Sequence, residues 1–498
     1  MSCAKGCLMV GLAMVSAQPA LAQNVVKFKD AAKIKSWDAW DDHKAPVLPK
    51  ERPCVTWEKL NKLDPGFRQV GRLVSRSSKE IKSSKWSVGC ETMDRDYSDW
   101  NAYKHLIAPL GVKHGRLLSG WAKTEQEKGK YDFTWLDPHV REMAAMGVKP
   151  WICLSYGNPV YGSDFRLGMR VSQITGNPEA FEAWLRYCTA CVGRYKDVVD
   201  EWEVWNEPFG QSQEYAEMFF RTAKAIKAIQ PEAKVYCTAG EIPDYTAVLE
   251  KLKKENALHL GSYFSYHPYD ANPDESYAKT AEPLSKLLKS YSDSFEIKQG
   301  EAGCPAQLEF AHALCNLEWS EYSQAKWGLR RAIGDAARSI PSSIFTMIDL
   351  QYTFMLQSFG LVRSNALKEF VYRRPLYFAM QNVYSVFDDD MVPQSRSTAK
   401  LAGREVSFAN FSRFGQSWHF CWFSDSVPDS SLAFTPVDIE LPGSIDCPVW
   451  IDMITGRVFE IPAASVVRSG NAMVIKNMPV WDSPVAVTSR AAVAPAGK

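Results

Sequence analysis

The chain has almost no net charge. Its 58 lysines and arginines nearly balance its 57 aspartates and glutamates, which leaves a formal charge of +1 over 498 residues. A protein without a strong positive field has no electrostatic attraction for nucleic acid or for an anionic membrane surface. We therefore expect a neutral partner, and no nucleic acid among the ligands.

Several catalytic and metal-binding motifs are also absent. The chain has no Gly-x-Ser-x-Gly elbow of a serine hydrolase and no His-Glu-x-x-His zinc motif. Cys188 and Cys191 form a close cysteine pair, but neither a second pair nor histidines at ligand spacing accompany them. These absences argue against serine hydrolases, zinc hydrolases and structural zinc sites, and we expect no metal and no cofactor.

A membrane-spanning hydrophobic run is missing too, although the first residues are apolar. Lys5 precedes an apolar stretch from Leu8 to Val15, which is well short of the roughly 20 residues that a spanning helix needs. Ala20 to Ala22 form a small-x-small cleavage signal, and no cysteine follows as in a lipoprotein. We predict a signal peptide cut after Ala22 and a secreted or periplasmic protein without membrane attachment. Most of the ten remaining cysteines should be buried, although this compartment permits disulfides.

From residue 86 the chain alternates strand-like and helix-like segments. Eight short apolar runs are separated by segments in which apolar residues recur every three or four positions. Eight such units over about 250 residues are typical of a (β/α)8 TIM barrel, which we predict over residues 86–390, with an open doubly wound sheet as the alternative. The predicted strands are WSVGCE (86–91), VKHGRLL (112–118), VKPWICLSY (148–156), VDEWEVWN (199–206), AKVYCTA (233–239), SYFSYHPY (262–269), FEIKQGE (295–301) and SSIFTMIDL (342–350).

The regions that flank the predicted barrel have a different texture. Residues 391–498 contain short strands with turn signals and no helical stretch, which indicates an all-β sandwich domain. Residues 23–85 are polar and mixed, with one helical segment at residues 56–63. We expect this N-terminal extension to pack on the barrel or on the sandwich.

Two glutamates follow corresponding predicted strands. The fourth strand runs into Trp-Asn-Glu-Pro, which contains Glu207, and the seventh ends at Glu301, which is 94 residues later. Three strand–helix units of about 31 residues span that distance, so both carboxylates should lie at the catalytic face of one barrel. Hydrolysis of a glycosidic bond requires two such carboxylates, one to protonate the leaving oxygen and one to attack or to activate water. An isolated Asn-Glu-Pro can also be a plain helix start, but the matching Glu301 argues against that interpretation.

WNEP (205–208) and IKQGEAG (297–303) resemble the signature of the clan A retaining glycoside hydrolases, whose fold is the β/α barrel. Three further segments, residues 115–137, 147–159 and 321–332, are similar to glycoside hydrolase family 39 and its near neighbours. The resemblance implies a metal-independent β-glycosidase or endo-glycanase that acts on an oligosaccharide or polysaccharide. Relatives like those of family 39 suggest an exo-acting β-xylosidase, whereas an open cleft would suggest an endo-β-glucanase.

The resemblance also implies roles for individual residues. Glu207 corresponds to the general acid/base, and Glu301 to the nucleophile that forms a covalent glycosyl-enzyme. Asn206 corresponds to the residue that binds the sugar 2-hydroxyl. Arg116 corresponds to the arginine that keeps the nucleophile ionised. On physical grounds Arg116 should lower the pKa of Glu301, while Glu207 must be protonated near neutral pH.

Other polar and aromatic residues are predicted to support or bind the sugar. His267 and Tyr269 share one face of the sixth strand and match a His-x-Tyr pair whose tyrosine orients the nucleophile; for His267 a packed core histidine is an equal alternative. Aromatic planes stack on sugar rings, although core packing is the alternative for each of them. The predicted sugar contacts after strands two to four are Trp121, Tyr156, Asn158, Tyr161 and Trp205.

The eighth strand departs from the clan pattern. Clan members commonly end this strand with a tryptophan beneath the reacting sugar, and this chain has none there. Tyr352, Phe354 or a residue of another loop is expected in its place. Two other functional classes stay open: a barrel that binds carbohydrate without catalysis, and a hydrolase of another type of bond.

Overall fold

The computed structural model describes residues 51–163, 170–470 and 472–493. The predicted signal peptide and residues 23–50 of the predicted extension lie outside these ranges. No helix within them is both long and apolar enough to cross a membrane. The described part of the extension contains helix α1 (Val55–Leu60) and strand β1 (Arg68–Arg72).

Eight parallel strands close into a barrel, which confirms the predicted fold class. Each predicted segment contains one strand, and the eighth pairs with the first through Ser342 opposite Trp86 and Ile344 opposite Val88. Because the sheet closes on itself, the alternative of an open doubly wound sheet is wrong. The barrel strands are β2 (Trp86–Gly89), β3 (His114–Leu118), β4 (Lys149–Leu154), β5 (Glu201–Val204), β6 (Lys234–Thr238), β7 (Tyr263–Tyr266), β8 (Glu296–Ala302) and β9 (Ser342–Ile344).

Amphipathic helices follow the strands and bury their apolar faces against the barrel. Asn177 shows how one of them begins: its side chain accepts hydrogen bonds from the amides of Glu179 and Ala180, which the first helical turn leaves unpaired. The helices are α2 (Trp100–Tyr103), α3 (Ile107–Leu110), α4 (Trp121–Thr124), α5 (Asp137–Ala145), α6 (Ser172–Thr175), α7 (Pro178–Tyr195), α8 (Ser212–Ile229), α9 (Ile242–Lys254), α10 (Glu282–Lys289), α11 (Glu321–Ala336) and α12 (Pro375–Val386). Short 3-10 turns span Met93–Arg95, Lys104–Leu106, Pro159–Tyr161, Leu258–Leu260 and Ala463–Ser465, and a π-helical turn spans Tyr277–Ala281.

Two small ribbons and a C-terminal β region complete the described chain. Antiparallel sheets form here as predicted, with strand orders β1-β19-β18-β22-β16-β15-β14 and β17-β21-β20. Strand β1 of the extension pairs with β19, so the extension forms an edge of the larger sheet. The ribbons are β10 (Leu350–Gln351) with β11 (Leu356–Gln357) and β12 (Val362–Ser364) with β13 (Phe370–Arg373); the C-terminal elements are β14 (Val392–Leu401), β15 (Arg404–Arg413), β16 (Gln416–Phe423), β17 (Thr435–Pro442), β18 (Pro448–Asp452), β19 (Arg457–Glu460), β20 (Val466–Ser469), β21 (Ala472–Val480), β22 (Val485–Ser489) and helix α13 (Arg490–Val493).

Helix α11 is buried along most of its length because it lies between the barrel and the C-terminal sheets. Its Lys326 ammonium is 2.5 Å from Asp482 and donates to the carbonyl of Ser431 at 2.7 Å. Its Arg330 pairs with Asp274 of the barrel at 2.6 Å. These ion pairs attach the two parts of the chain to one helix.

The cysteines behave as small apolar side chains. All ten in the described ranges are unpaired, and eight of them are buried. Cys188 and Cys191 both lie in the apolar core under α7, so this close pair is part of helix packing.

Candidate active site

The carboxyl ends of the barrel strands open into a cavity of about 810 Å³. This volume suits a small ligand or one part of a longer one. The residues at strand ends and in the following loops form its wall, as expected for a TIM barrel. Six of the eleven residues predicted to be catalytic, supporting or sugar-binding lie on that wall: Arg116, Tyr156, Asn206, Glu207, Tyr269 and Glu301.

Arg116 of β3 connects most of these groups. Its Nε and Nη2 bond both oxygens of Glu203 at 2.8 and 3.0 Å, and Nη1 bonds Glu91 at 3.1 Å. Nη1 also bonds Glu301 at 2.5 Å, and Nη2 bonds the Asn206 amide oxygen at 2.7 Å. Burial opposes the charge, but the surrounding carboxylates outweigh it and hold the pKa of Arg116 well above its usual value. All five N–H donors of the guanidinium are therefore used.

Glu301 is held from two sides. Arg116 approaches one carboxylate oxygen, and the Tyr269 hydroxyl donates to the other at 2.5 Å. Burial first, and then the charge of Glu301, raise the pKa of Tyr269 far above its ordinary value, so the phenol keeps its proton and acts as a donor. Two donors thus fix the orientation of the Glu301 carboxylate.

Glu207 forms a pair with His267. The Nδ1 atom of His267 lies 2.8 Å from Glu207 Oε1 and 4.0 Å from Glu301 Oε2. Burial disfavours the imidazolium, but Glu301 and Glu207 outweigh it and raise the pKa of His267. Burial also opposes ionisation of Glu207, yet the hydrogen bond and charge of His267 lower its pKa. Both shifts run against the expectation that Glu207 is protonated near neutral pH, because they favour the carboxylate of Glu207 beside the imidazolium of His267.

The end of β5 explains how an amide and a carboxylate come to face the cavity side by side. After Val204 the backbone turns sharply, with Trp205 at φ +67° and Glu207 at φ +51°. Such left-handed conformations cost non-glycine residues free energy and are frequent at functional sites. The turn sends the Trp205 ring into the core and Asn206 and Glu207 to the cavity wall.

Asn206 is fixed at both ends of its amide. Its oxygen accepts from Arg116, and its nitrogen donates to the Tyr156 hydroxyl at 3.0 Å. One N–H of the amide is left for a ligand, since the group has two. Tyr156 itself forms part of the wall.

Four of the predicted sugar contacts lie behind the wall, and these predictions are corrected. Trp121, Asn158 and Trp205 are at most 1% exposed, and Tyr161 is 5% exposed. Trp121 and Tyr161 stack at 5.3 Å and both donate to Glu125, while Asn158 donates to its carbonyl. These residues pack the core and stabilise the loop after β4 instead of contacting a ligand.

An aromatic residue does follow the eighth barrel strand. Phe345 comes directly after β9 and borders the cavity, and the sequence analysis overlooked it in favour of Tyr352 and Phe354. Both of these residues also line the cavity. Tyr352 lies 4.4 Å from both the Tyr97 and His312 rings, and His312 stacks on the exposed Phe354 at 5.6 Å. A row of rings thus leads from the cavity to the surface.

Sequence reasoning missed two buried carboxylates, Glu91 and Glu203. Glu91 follows the first barrel strand as Glu207 follows the fourth, and that position was the signal that could have identified it. Burial first raises the pKa of Glu91, Arg116 opposes this, and Glu301 adds to it, which brings the value to about 7. Within the described part of the chain, Glu91 Oε2 has no hydrogen-bond partner.

Part of the chain is similar in sequence to known glycosyl hydrolases. The model of the glycosyl hydrolases family 39 matches residues 76–290. An aryl-phospho-β-D-glucosidase of Bacillus subtilis (strain 168) is 24% identical over 218 residues, which cover 39% of this chain. The match spans 44% of that relative, so the chain covers less than half of its length.

Two solved structures share the fold over most of the chain. A family 30 endoxylanase from Clostridium papyrosolvens C71 has a TM-score of 0.53 and 10% identity, covering 86% of this chain and 98% of its own. A family 30 subfamily 8 xylanase from Clostridium acetobutylicum has a TM-score of 0.53 and 10% identity, with coverages of 84% and 97%. The chain is thus similar in sequence to the glycosyl hydrolases family 39 over residues 76–290, and the two solved structures share its fold.

Proposed function

We propose that the protein is a secreted, metal-independent retaining glycosidase that cleaves β-glycosidic bonds by double displacement. One observation carries the proposal: an oxygen of Glu207 and an oxygen of Glu301 lie within 4.8 Å of each other. Carboxyl groups are about 5–5.5 Å apart in retaining enzymes and about 6.5–9.5 Å apart in inverting ones, which need room for a water molecule. The separation supports direct attack by one carboxylate.

In the first step Glu301 attacks the anomeric carbon while the leaving oxygen takes a proton from Glu207. Arg116 and Tyr269 orient the attacking carboxylate through the bonds at 2.5 Å. The proton comes from the pair of Glu207 and His267, in which the Nδ1 atom can return it to Glu207 Oε1 over 2.8 Å. The remaining N–H of Asn206 suits the sugar 2-hydroxyl, a contact that strengthens in the transition state.

In the second step water releases the sugar from Glu301. The ester has no charge, so the attraction that raised the pKa of His267 is lost in part. Glu207 then accepts a proton from the attacking water and passes it to His267 or keeps it. The pair ends the cycle with the proton it had at the start.

The proposal also covers the class of substrate and the export of the protein. The row of rings from Tyr352 through His312 to Phe354 supports binding of an oligosaccharide or polysaccharide, because sugar faces stack on such rings. An exo-acting β-xylosidase and an endo-β-glucanase both remain candidates. Residues 1–22 support export, which N-terminal sequencing of the mature protein would test by showing whether it starts at Gln23.

Product stereochemistry tests the mechanism. Proton NMR during hydrolysis of a β-linked substrate should show the β-anomer first, and first appearance of the α-anomer would contradict double displacement. Glu207→Ala should lose turnover on unactivated substrates; on an activated aryl glycoside, whose leaving group needs no proton, azide should restore turnover and give a β-glycosyl azide. The exposed Glu214→Ala should behave as wild type.

Metal independence and the competing class can be tested with the same assay. Glu207, His267 and Glu301 hold ligand-type atoms within 4.8 Å of one another, so loss of activity with EDTA and recovery with a divalent cation would contradict the proposal. Tight sugar binding with no turnover on any β-linked substrate would favour a binding protein instead.

A further inference from the structure

A second arginine lies on the cavity wall, and the mechanism does not use it. Arg95 ends the 3-10 turn Met93–Arg95 after β2, and its side chain is 13% exposed. Thr92 at φ +72° and Asp96 at φ +58° flank this turn. Left-handed conformations of non-glycine residues cost free energy and are frequent at functional sites, and two of them flank the turn that carries Arg95.

The guanidinium of Arg95 has unused hydrogen-bond donors. Its Nε lies 3.3 Å from Asp94 Oδ2 and 3.4 Å from Oδ1, and its two terminal nitrogens make no hydrogen bond to any described residue. Arg116, by contrast, uses all five donors on acceptors around it. Among the described residues of the wall, Arg95 and Arg116 are the two that carry a lysine or arginine side chain. Because the donors of Arg116 are all used, Arg95 is the cation available to a ligand.

The surroundings of Arg95 keep it charged and in place. Its guanidinium carbon lies 5.1 Å from the centres of both the Tyr97 and Tyr156 rings. Burial opposes the charge, but Asp94 and the neighbouring tyrosines raise the pKa of Arg95. A partly dehydrated, oriented guanidinium with free terminal N–H groups binds a planar anion through two parallel hydrogen bonds.

Arg95 is close to the reacting groups. The Tyr156 ring that faces Arg95 carries the hydroxyl bonded to Asn206. Tyr352 experiences the charges of both Arg95 and Glu301. Arg95 thus lies on the same cavity wall as Asn206, Glu207 and Glu301 and is linked to Asn206 through one ring.

We propose that the substrate carries a carboxylate on the sugar bound in this cavity, as in a uronosyl residue, and that Arg95 binds that carboxylate. The inference rests on the proposed function and names the class of its substrate. A carboxylate fits better than a phosphate dianion because Arg95 carries a single positive charge and Asp94 beside it offsets part of that charge. A neutral sugar would offer no anionic acceptor to the terminal N–H groups of Arg95, which make no hydrogen bond to any described residue.

The test compares substrates that differ only in the carboxylate. Wild type, Arg95→Gln and Arg95→Lys would be assayed on aryl β-glycosides. The carboxylate and neutral pairs are glucuronide with glucoside and galacturonide with galactoside; the β-xyloside is a further neutral substrate, and the β-glucoside 6-phosphate tests the phosphate. A uronate-containing polysaccharide before and after chemical reduction of its carboxyl groups extends the comparison to an endo-acting enzyme. Arg363→Gln is the matched control, because Arg363 also faces a tyrosine ring, at 5.6 Å, but lies outside the wall.

We expect wild type to have a higher kcat/KM for the carboxylate member of a pair. Arg95→Gln should lower the ratio of carboxylate to neutral kcat/KM by about 10- to 100-fold, mainly through KM, as expected for loss of a hydrogen bond between charged groups. Arg95→Lys should keep part of the wild-type preference for the carboxylate substrate. Arg363→Gln should keep the whole of that preference. Circular dichroism and Tm would verify that the variants are folded.

Three results would overturn the inference: an equal or higher kcat/KM for the neutral member, a ratio that Arg95→Gln leaves unchanged, or a preference for the phosphate. Cleavage of neutral glycosides that depends on Glu301 would leave the proposed function intact while refuting this inference. Conversely, binding of a uronate by calorimetry that depends on Arg95, with no cleavage that depends on Glu301, would refute the proposed function alone.

Discussion

The barrel holds a buried cation at each end, and only one of them faces a cavity. Near the amino ends of the strands, Lys298 lies 3.4 Å from Glu201 and donates to Tyr236 at 3.0 Å. Its ammonium is 4.0 Å from the centre of the Trp151 ring. On the cavity side of the barrel, Arg116 lies 5.4 Å from the same ring. One tryptophan therefore lies between two charged clusters with different roles.

The two clusters differ in the balance of charge. Burial opposes ionisation of Glu201, but Lys298 and other neighbouring cations outweigh it and lower its pKa. At the cavity, Glu91 and Glu203 accompany the catalytic glutamates and outnumber the cations, so protons stay bound near neutral pH. A balanced buried cluster fixes a fold, whereas one with excess carboxylates beside a cavity can donate and accept protons.

The largest expected difference between the two clusters is the effect of a glutamate substitution on kcat. Glu301→Gln removes the proposed nucleophile and should reduce kcat at least about 10³-fold with little change in Tm. Steady-state assays on the best substrate would measure it. Glu296→Gln, an exposed change at the start of the same strand, is the control. A loss of less than tenfold would mean that the cavity cluster is structural like the other one.

At the amino ends of the strands we expect a substitution to lower the stability of the fold and to leave kcat unchanged. Glu201→Gln leaves Lys298 buried without its carboxylate and should destabilise the fold by about 3–5 kcal/mol. The folded variant should keep a wild-type kcat, since neither residue touches the cavity. Urea denaturation and kinetics on one preparation separate the two effects. A fall in kcat as large as the one in Glu301→Gln would contradict the separation of roles.

The histidines of the two clusters should differ in their effect on the pH profile. The pair loses its last proton at the raised pKa of His267, above 6.5, whereas in His267→Gln a carboxyl with an ordinary value of 4.5 must hold that proton. The basic limb of kcat/KM should therefore move to lower pH, with a loss of roughly tenfold in rate. His114 is the matched control, because burial lowers its pKa to about 4 and keeps it neutral at the assay pH. A shift in His114→Gln, or none in His267→Gln, would contradict the account.

The smallest effect concerns Glu91 and stability. Its pKa is raised from 4.5 to about 7, so the folded state binds this proton more tightly than the unfolded state does. That contribution is full below about pH 4.5 and is lost as the pH rises through about 7. The Tm of wild type relative to Glu91→Gln should therefore fall between pH 4.5 and 7.5. A constant or rising difference would show that Glu91 is ionised throughout.

The fold could be predicted because its signals are local. Each barrel strand is a short apolar run between turn signals, and the regular spacing of the units brought Glu207 and Glu301 to the same face. Phe345 could have been found in the same way, as the aromatic residue that ends the eighth run.

The rest of the site depends on contacts between distant segments. Trp205 is adjacent to Asn206, yet its left-handed φ turns the ring into the core, and no local pattern indicates that turn. Glu91 and Glu203 became part of the site only when Arg116 of another strand was placed between them. The unused donors of Arg95 are likewise visible only when its neighbours are known.

The central claim is that Glu301 becomes covalently bonded to the sugar. Wild type incubated with a 2-deoxy-2-fluoro β-glycoside of the best substrate, or quenched in acid during turnover, would be digested and analysed by mass spectrometry. The account predicts one glycosyl unit on the peptide that contains Glu301, and none in Glu301→Gln. A glycosyl unit on Glu207, or unlabelled protein from an actively turning-over sample that yields the α-anomer, would contradict it.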